Sequence, residues 1–597
     1  MESMRTEARY VVEERDTAFD DIFSNARTDP THVAVSRDVE GSWVPVTNRE
    51  LADEVEALAA GLVEAGVAPG ERVALMSRTR YEWLLADFAI LSVGGVTVPI
   101  YETSSATQID WILRDSGAVA VFVENDELKA KVEALLDGLP ELRAIWTLTA
   151  DRQRLLEDGL AIGSGPVAAR RTAVRSADLA TIVYTSGTTG RPKGCMLTHA
   201  NLVAAVRNVN RADGVREQVF NAEQSTLLFL PLAHVLARVI QSSALHAQVR
   251  LGHLSDMKQV PAGLQSFQPT VVLSVPRVFE KIYNSAQRTA THGAKKHIFA
   301  AAEATSTSYS QQLDAVSGPG LVLKAQHRLY DGLVYSKLRH AMGGHVRWAV
   351  SGGAPLGAAL GHFFRGIGVN VLEGYGLTET TAGGTLNLPG AQRVGSVGKP
   401  VPGCELRIAA DGEILMRGPH VFAGYWNNEV ATADVLDADG WLHTGDIGRI
   451  DDDGFVFITD RKKDLIVTSA GKNVAPTVLE DRLRSHWLVS QAAVFGDQQP
   501  YIAALLTLDP EAVESWQRDN GKPGELERLT SDPELLQELQ LAVDLANEMV
   551  SQAEAIKRWS VLPRDFAEAT GELTPTLKMK RDVIAKEFAA EVEALFS

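Results

Sequence analysis

Residues Ile182 to Met196 read IVYTSGTTGRPKGCM. The apolar, β-favouring run from Ile182 to Tyr184 predicts the end of a buried strand. The ten residues that follow, from Thr185 to Gly194, contain three glycines, four hydroxyl side chains and two cations. Glycine lets backbone N–H groups approach a ligand closely, and successive N–H groups form a concave site for an anion. The stretch therefore predicts a phosphate-binding loop.

This loop does not have the spacing of the common nucleoside-triphosphatase P-loop. That pattern, G-x-x-x-x-G-K-[ST], would need glycine where Pro192 stands and Ser or Thr where Gly194 stands. The simplest alternative is a polar, glycine-rich surface turn. Motifs elsewhere in the chain have to decide between the two.

Composition and charge exclude several classes of protein. The chain has 597 residues, 45% of them hydrophobic and with a net charge of −18, which argues against nucleic-acid binding and against simple electrostatic docking on anionic lipid. Two cysteines, Cys195 and Cys404, exclude a disulfide framework and indicate a reducing compartment. The N-terminal residues lack an apolar signal core, and no apolar run reaches about 18 residues. We expect a cytoplasmic protein, with peripheral contact at the inner membrane face left open.

The order of predicted elements indicates an α/β protein. A capping box at Thr47–Glu50 opens a helix, and strands and helices then alternate from Arg72 to Val123, which is typical of a parallel sheet covered by helices on both faces. Residues 394–458 have short β runs separated by Gly, Pro and Asp, and predict a small β-barrel-like subdomain. We predict a large N-terminal domain of doubly wound sheets, residues 1–460, and a small mobile α+β domain, residues 461–597.

Candidate ligand-binding residues follow the predicted strands, where ligands gather in open α/β sheets. His234 comes just after one strand, although a lone histidine beside apolar residues is often only a satisfied core residue. Gly353 and Tyr375 follow two later strands and would accept a flat ring between them. Glu379 suits a hard cation such as Mg²⁺, or is simply an acid favoured by a helix N-terminus. Asp446, in the β-rich part, would accept hydrogen bonds from two sugar hydroxyls.

The motifs together resemble those of the AMP-forming acyl-CoA synthetases, the adenylate-forming superfamily, and within it the long-chain fatty-acid–CoA ligases. The resemblance covers nearly the whole chain. It rests on YTSGTTGRPKG at 184–194, PLAH at 231–234, SGGAPL at 351–356, EGYGLTET at 373–380, GWLHTGD at 440–446, DRKKDLIVTSAGKNVAP at 460–476 and GELTPTLKMKR at 571–581. Seven motifs in this order are far more specific than any one of them.

The resemblance implies a role for each matching residue. As catalytic residues it implies Lys578 for adenylation, Glu379, and His234 beside the acyl carboxylate; Thr185 and Glu379 would hold the Mg²⁺. The residues implied to bind ATP or CoA are Thr185, Ser186, Gly187, Thr188, Thr189, Gly190, Lys193, Gly353, Ala354, Tyr375, Gly376, Thr378, Asp446, Arg461, Gly471 and Lys472. Lys463 matches the hinge position. Many members have glycine before the adenylation lysine, whereas this chain has Leu577.

The function that the resemblance implies is ATP-dependent activation of a long-chain fatty acid to acyl-AMP, followed by transfer to CoA. ATP, Mg²⁺, CoA and the fatty acid would be its ligands. The open alternatives are an acyl-AMP ligase that loads a carrier protein, a medium-chain or aryl-acid CoA ligase, and a nucleotide-binding regulatory protein without turnover. Acyl-chain length and oligomeric state are left open by the sequence.

Overall fold

The computed structural model describes residues 2–185, 191–289, 293–469, 472–522, 524, 526–574 and 579–597. The strands, numbered in chain order, are β1 Ser3–Arg5, β2 Val33–Val39, β3 Ser42–Thr47, β4 Arg72–Met76, β5 Val96–Ile100, β6 Ala118–Val123, β7 Ala144–Thr147, β8 Leu179–Thr185, β9 Lys193–Thr198, β10 Ser225–Leu228, β11 Arg250–His253, β12 Val271–Ser274, β13 Trp348–Ser351, β14 Asn370–Tyr375, β15 Thr385–Leu386, β16 Lys399–Pro400, β17 Glu405–Ile408, β18 Glu413–Arg417, β19 Gly424–Tyr425, β20 Leu442–Ile450, β21 Val456–Arg461, β22 Ile466–Val467, β23 Asn473–Val474, β24 Val489–Phe495, β25 Ile502–Leu508 and β26 Ile556–Val561.

The helices connect and cover these strands. They are α1 Asp20–Thr28, α2 Asn48–Glu64, α3 Tyr81–Ser92, α4 Ala106–Ser116, α5 Asp126–Glu133, α6 Ala150–Ile162, α7 Gly165–Ala173, α8 His199–Asn210, α9 Val235–His246, α10 Val260–Phe267, α11 Pro276–Thr289, α12 Gly293–Leu313, α13 Leu321–Tyr330, α14 Ser336–Ala341, α15 Ala358–Gly366, α16 Glu429–Val435, α17 Pro476–Arg484, α18 Pro510–Asn520, α19 Leu526–Leu529, α20 Pro533–Asn547, α21 Arg581–Glu587 and α22 Ala589–Phe596. The mixture confirms the predicted α/β class.

Two large sheets form the first part of the chain. One has seven strands in the order β19-β9-β8-β5-β4-β6-β7, and the other has nine in the order β16-β15-β14-β13-β12-β10-β11-β2-β3. Their central strands are parallel, as the alternation of strands and helices predicts. The edges differ from that prediction: β8 and β9 pair antiparallel, because the short segment that joins them cannot make a crossover.

The β-rich part forms a third sheet, in which β17, β18, β20 and β21 pair antiparallel. This confirms the predicted subdomain and adds an edge strand, β1, from the N-terminus, which pairs with β17. The strand β21 ends at Arg461, so this residue lies at the predicted domain boundary.

From Ile466 onward the chain has its own hydrophobic cores on both faces of the sheet β24-β25-β26. This sheet, with α17 and α20 on one face, fits the predicted α+β unit. The helices α21 and α22 pack on the other face through Ile584, Phe588 and Leu595. Among the described residues, no helix is both long enough and apolar enough to cross a bilayer.

The helices α2 and α6 pack with their backbones in direct contact. Thr47 and Glu50 form the predicted capping box, and α2 then crosses α6 at two glycines. A Cβ on Gly61 would stand 2.0 Å from the carbonyl oxygen of Leu155, and one on Gly159 would stand 1.9 Å from that of Ala57. Only glycine permits this contact between the two backbones.

We therefore expect Gly61→Ala to lower the free energy of unfolding by about 2 kcal/mol, since the overpacking cost exceeds the gain in helix propensity. Thermal unfolding, followed by circular dichroism, measures the effect. Gly165→Ala is the control, because nothing lies within 4 Å of a Cβ at that position. Equal melting temperatures for the two variants would contradict the packing argument.

Candidate active site

The two ends of the predicted phosphate loop face each other across an antiparallel hairpin. Thr185, the last residue of β8, is the register partner of Lys193, the first residue of β9. The intervening Ser186, Gly187, Thr188, Thr189 and Gly190 lie outside the described residues. The hairpin therefore holds the hydroxyl of Thr185 and the cation of Lys193 close together.

Tryptophan side chains support this hairpin from outside. The Arg191 guanidinium lies over the Trp111 ring at 4.6 Å, and the Trp111 indole N–H donates to the Pro192 carbonyl at 2.9 Å. The indole N–H of Trp426 donates to the Asp115 carbonyl at 2.9 Å. The Trp111 ring on α4 therefore holds the Arg191 guanidinium. Of the two cations in this stretch, Lys193 is the one at the start of β9.

Lys193 and Glu379 meet at one tyrosine. The Lys193 ammonium lies 5.0 Å from the centre of the Tyr425 ring, and the Tyr425 hydroxyl donates to Glu379 Oε1 at 2.7 Å. Burial raises the pKa of the Cys195 thiol; the Glu379 charge adds to the rise, and a hydrogen bond with Thr185 opposes it. Thr185 and Glu379, the predicted metal pair, thus both contact the same thiol.

This pair of side chains fits Mg²⁺ that is bound mainly by a nucleotide. Mg²⁺ in nucleotide sites takes one or two carboxylates together with phosphate oxygens and water. Glu379 supplies one carboxylate, whose Oε1 is oriented by Tyr425, and Thr185 supplies a hydroxyl. Among the described residues no group of three or more His, Cys, Asp and Glu side chains is placed to hold a metal by itself.

Asp446 connects three parts of the fold. The Tyr375 hydroxyl, at the end of β14, donates to Asp446 Oδ2 at 2.5 Å, and Arg461 Nε lies 3.1 Å from Asp446 Oδ1. Asp446 and Arg461 are register partners on β20 and β21. Burial and the neighbouring Asp446 carboxylate raise the pKa of Tyr375, so its hydroxyl stays a donor.

A polar cleft opens beside this carboxylate. Its volume is about 310 Å³, and it is lined by Thr444, Gly445, Arg461, Lys462 and Lys463. Three of the five residues are cations in a chain with a net charge of −18. A cleft of this kind concentrates anions locally although the protein as a whole repels them.

The loops that follow β13 and β14 lie at the same edge of the nine-stranded sheet. Ser351 and Glu373 are register partners near the ends of the two strands. Gly353 has φ +86°, and a Cβ on Gly376 would stand 2.4 Å from the Ala382 carbonyl oxygen, so both positions need glycine. Ala354 belongs to the first loop, and Thr378 begins the helical turn Thr378–Thr380 in the second.

Glu373 is a buried carboxyl that the sequence reasoning missed. Its side chain is only 8% exposed, and its Oε1 accepts a hydrogen bond from the Leu356 N–H at 3.0 Å. Burial raises the pKa of Glu373 to about 7. It joins the end of β14 to the loop that carries Gly353. The only signal in the sequence was an acid directly after the apolar run Val369–Leu372.

His234 begins the helix α9. Its Nδ1 accepts a hydrogen bond from the Leu236 N–H at 3.2 Å, so the ring caps the helix. This contact matches the structural alternative for His234, and its side chain is still half-exposed at the edge where β10 ends. A role beside an acyl carboxylate stays a prediction.

The remaining predicted residues belong to the C-terminal domain. The Lys472 ammonium pairs with Glu554 Oε1 at 3.3 Å within that domain, rather than with the residues above. Gly471 and Lys578 lie outside the described residues. On either side of Lys578, Leu573 and Met579 form an antiparallel bridge.

The C-terminal domain contacts the first domain through charged and polar groups. Arg277 Nη2, on α11, donates to Ser490 Oγ at 2.9 Å, and Ser490 Oγ donates to Asp565. Burial and the carboxylates of Glu102 and Glu568 raise the pKa of Tyr101, which puts Glu568 beside the first domain. Ser490, Asp565 and Glu568 therefore lie on the side of the C-terminal domain that faces the first domain.

Comparison with known proteins identifies the class to which this site belongs. The family model "AMP-binding enzyme" matches residues 22–426, and the model "AMP-binding enzyme C-terminal domain" matches residues 463–597. The chain belongs to the AMP-binding enzyme family, the adenylate-forming enzymes. The resemblance inferred from the motifs is confirmed.

Individual relatives are similar over their full length. The long-chain-fatty-acid–CoA ligase FadD15 of Mycobacterium bovis is 49% identical over 603 residues, which cover 100% of both chains. A crystal structure of the anthranilate CoA ligase AuaEII in complex with anthranoyl-AMP has a TM-score of 0.72 at 21% identity, covering 98% of this chain and 99% of that one. A Mycobacterium tuberculosis fatty acyl CoA synthetase has a TM-score of 0.62 at 22% identity, covering 96% and 99%. These structures confirm the predicted fold.

We expect Glu373→Gln to change how stability depends on pH. Because the pKa of the folded carboxyl, about 7, lies above its ordinary value of 4.5, the wild type loses stability as the pH rises through that window. Glutamine keeps the acceptor for the Leu356 N–H and has no proton to lose. The variant should match the wild type below about pH 5 and exceed it by about 3 kcal/mol near pH 8. Thermal unfolding at a series of pH values measures this; parallel pH profiles would refute it.

Proposed function

We propose that the protein is a long-chain-fatty-acid–CoA ligase that forms AMP. It activates a long-chain fatty acid with ATP, releases pyrophosphate, and transfers the acyl group from acyl-AMP to CoA. The observation that carries this proposal is the 49% identity with FadD15 of Mycobacterium bovis, which spans both chains completely. The convergence of Lys193, Glu379, Tyr375 and Asp446 at one edge of the fold supports it.

The first step needs help because both reactants are anions. A carboxylate oxygen of the fatty acid attacks the α-phosphorus of ATP, a P–O bond forms, and the bond to pyrophosphate breaks. Charge accumulates on the α-phosphate as it passes through a five-coordinate state, so fixed cations lower the barrier. Lys193 and the phosphate loop that it ends hold the β- and γ-phosphates, and Lys578 supplies charge at the reacting phosphate.

Different kinds of groups bind the ribose, the adenine ring and the phosphates of the nucleotide. Asp446, oriented by Tyr375 and Arg461, accepts hydrogen bonds from the ribose hydroxyls, and the loops at Gly353 and Tyr375 enclose the adenine ring. Glu379 and Thr185 would hold Mg²⁺, which would supply positive charge at the phosphates. These contacts act over short distances, so the negative net charge of the chain does not prevent the nucleotide from binding.

The second step needs a different set of residues at the same place. The CoA thiolate attacks the acyl carbonyl carbon, a C–S bond forms, and the C–O bond to AMP breaks. We propose that the C-terminal domain, residues 461–597, rotates about Lys463 between the steps, exchanging Lys578 for the loop of Gly471 and Lys472. Lys472 pairs with Glu554 inside its own domain, while Glu568 lies near Tyr101 of the first domain, which fits the arrangement for the first step.

The chain before Lys463 is anchored. The Lys462 ammonium pairs with Asp411 at 2.6 Å and Glu413 at 3.1 Å, and the Lys462 N–H donates to the Gly445 carbonyl at 2.8 Å. Rotation therefore has to begin after Lys462. We further propose a cytoplasmic location, which the unpaired Cys195 and Cys404 support.

The decisive assay is fatty-acid-dependent exchange of pyrophosphate into ATP. We expect exchange with long-chain acids, and a fall of about 10²–10³-fold in Lys578→Ala, the scale for one lost electrostatic contact to a transition state. Lys557→Ala, on β26, removes an exposed lysine of the same domain and should leave the rate unchanged. A panel of acids of graded length, with aryl acids included, defines the substrate.

Three results would each reject a part of this proposal. Absence of exchange with every carboxylic acid, while ATP still binds, would favour a nucleotide-binding regulatory protein. Acyl transfer to an acyl carrier protein but not to CoA would identify a carrier-loading ligase. Near wild-type exchange in Lys578→Ala would remove that lysine from the mechanism while leaving the reaction itself in place.

We expect Lys463→Pro to separate the two steps. Proline fixes one backbone dihedral angle at the proposed hinge, so the domain keeps one arrangement. Pyrophosphate exchange should persist, whereas acyl-CoA formation should fall by about tenfold or more. Single-turnover formation of acyl-AMP and of acyl-CoA measures the steps separately. Loss of the first step with the second intact would contradict the hinge assignment.

A further inference from the structure

An exposed apolar strip lies on the outer side of the helix α13. Leu321 is 85% exposed, Val322 74% and Leu329 60%, and Leu333, one turn further on, is 46% exposed. Helical spacing puts these residues on one side, and α13 has no buried residue. Monomeric proteins rarely leave a contiguous apolar surface of this kind uncovered, so the strip marks an interaction surface.

The inner side of the same helix is firmly attached. The imidazole of His327 stacks on the Tyr309 ring at 4.0 Å, and its Nε2 is 2.6 Å from the Gly366 carbonyl oxygen. The Tyr335 hydroxyl donates to the Ala302 carbonyl at 2.6 Å. α12 and α13 form an antiparallel hairpin packed on the body of the protein, so the outer strip is a fixed surface.

The loop before α13 extends this strip. Residues 311–317 are all exposed, and Val316 is fully exposed. The strip belongs to the helical stretch 280–342. Its innermost helices pack into the core through Phe299 and Tyr283, whereas Val316 and the α13 strip face outward.

Charge indicates what covers the strip. Lys324 and Arg328, one helical turn apart and both exposed, border it. Residues 316–333, which span the strip, contain these two cations and one acid, Asp331, which pairs with Arg339 at 2.7 Å. In a chain with a net charge of −18 this is a local reversal of sign. Apolar side chains bordered by Lys and Arg are the composition of helices that lie in the surface of an anionic membrane.

A second exposed apolar strip provides the contrast. On α20, Leu541 is 54% exposed, Leu545 41% and Met549, just after the helix, 62%. Its exposed neighbours Asp544 and Glu548 are acidic. Anionic lipid would repel this strip, so the two surfaces have similar apolar character and opposite charge.

We propose that the outer strip of α13, with Val316, Lys324 and Arg328, docks the protein on an anionic lipid surface. The apolar side chains insert among the acyl chains at the interface, and the two cations contact the headgroup phosphates. This inference goes beyond the proposed function and does not depend on it, because docking needs neither ATP nor a fatty acid.

Co-sedimentation with vesicles, without substrates, tests the proposal. The full-length protein should bind vesicles of phosphatidylcholine mixed with phosphatidylglycerol, bind pure phosphatidylcholine vesicles at least about tenfold more weakly, and dissociate at high salt. Leu321→Gln/Val322→Gln/Leu329→Gln and Lys324→Glu/Arg328→Glu should each weaken binding by about tenfold or more. Leu541→Gln/Leu545→Gln is the matched control and should bind like the wild type.

Folding and self-association are checked with the same variants. All are exposed substitutions by helix-forming residues, so their melting temperatures should equal that of the wild type. A wild type that stays in solution with anionic vesicles, or α13 variants that bind as well as the control, would overturn the proposal. A wild-type dimer in sedimentation velocity that the α13 variants abolish, without vesicle binding, would instead assign the strip to a second copy of the chain.

Discussion

The carboxylate of Asp446 is the interaction on which the arrangement of this molecule depends. It is only 4% exposed, and a carboxylate buried to that degree is costly unless it is paired and hydrogen-bonded. Its two partners come from different parts of the chain: Tyr375 ends a strand of the nine-stranded sheet, and Arg461 ends the β-rich subdomain. Satisfying one charge therefore fixes the subdomain against the large sheet at the point where the C-terminal domain begins.

This constraint connects fold to chemistry. Because Tyr375 and Arg461 already orient Asp446, its carboxylate is preorganised, and the ribose binding that we propose for it would not have to order it. The same sheet edge holds Glu373, whose burial ties the loop of Gly353 to β14. A buried acid with a raised pKa reduces stability at neutral pH, which is a common feature of ligand-binding edges in proteins.

Much of this could be predicted from the sequence because it is local. The capping box at Thr47, the strand Arg72–Met76 and the glycine-rich strand ends are encoded by neighbouring residues, and the structure has them where they were expected. The order of motifs gave the family. Contacts between distant segments were not predictable: Tyr425 lies 46 residues from Glu379, and nothing around it indicates that its hydroxyl orients that acid. The strand β1 was missed for the same reason, since its partner β17 is about four hundred residues away along the chain.

The distribution of charge determines which anions this protein repels and where anions can bind. A net charge of −18 repels nucleic acid and, at a distance, every anion that the proposed reaction uses. At an ionic strength near that of cells, however, the field of exposed charges decays within about 8 Å, so close neighbours determine whether an anion binds. Arg461, Lys462 and Lys463 in one cleft are such neighbours, and so are Lys324 and Arg328 beside the apolar strip of α13. An acidic surface with a few concentrated cationic sites keeps the chain soluble while making the places where anions dock specific.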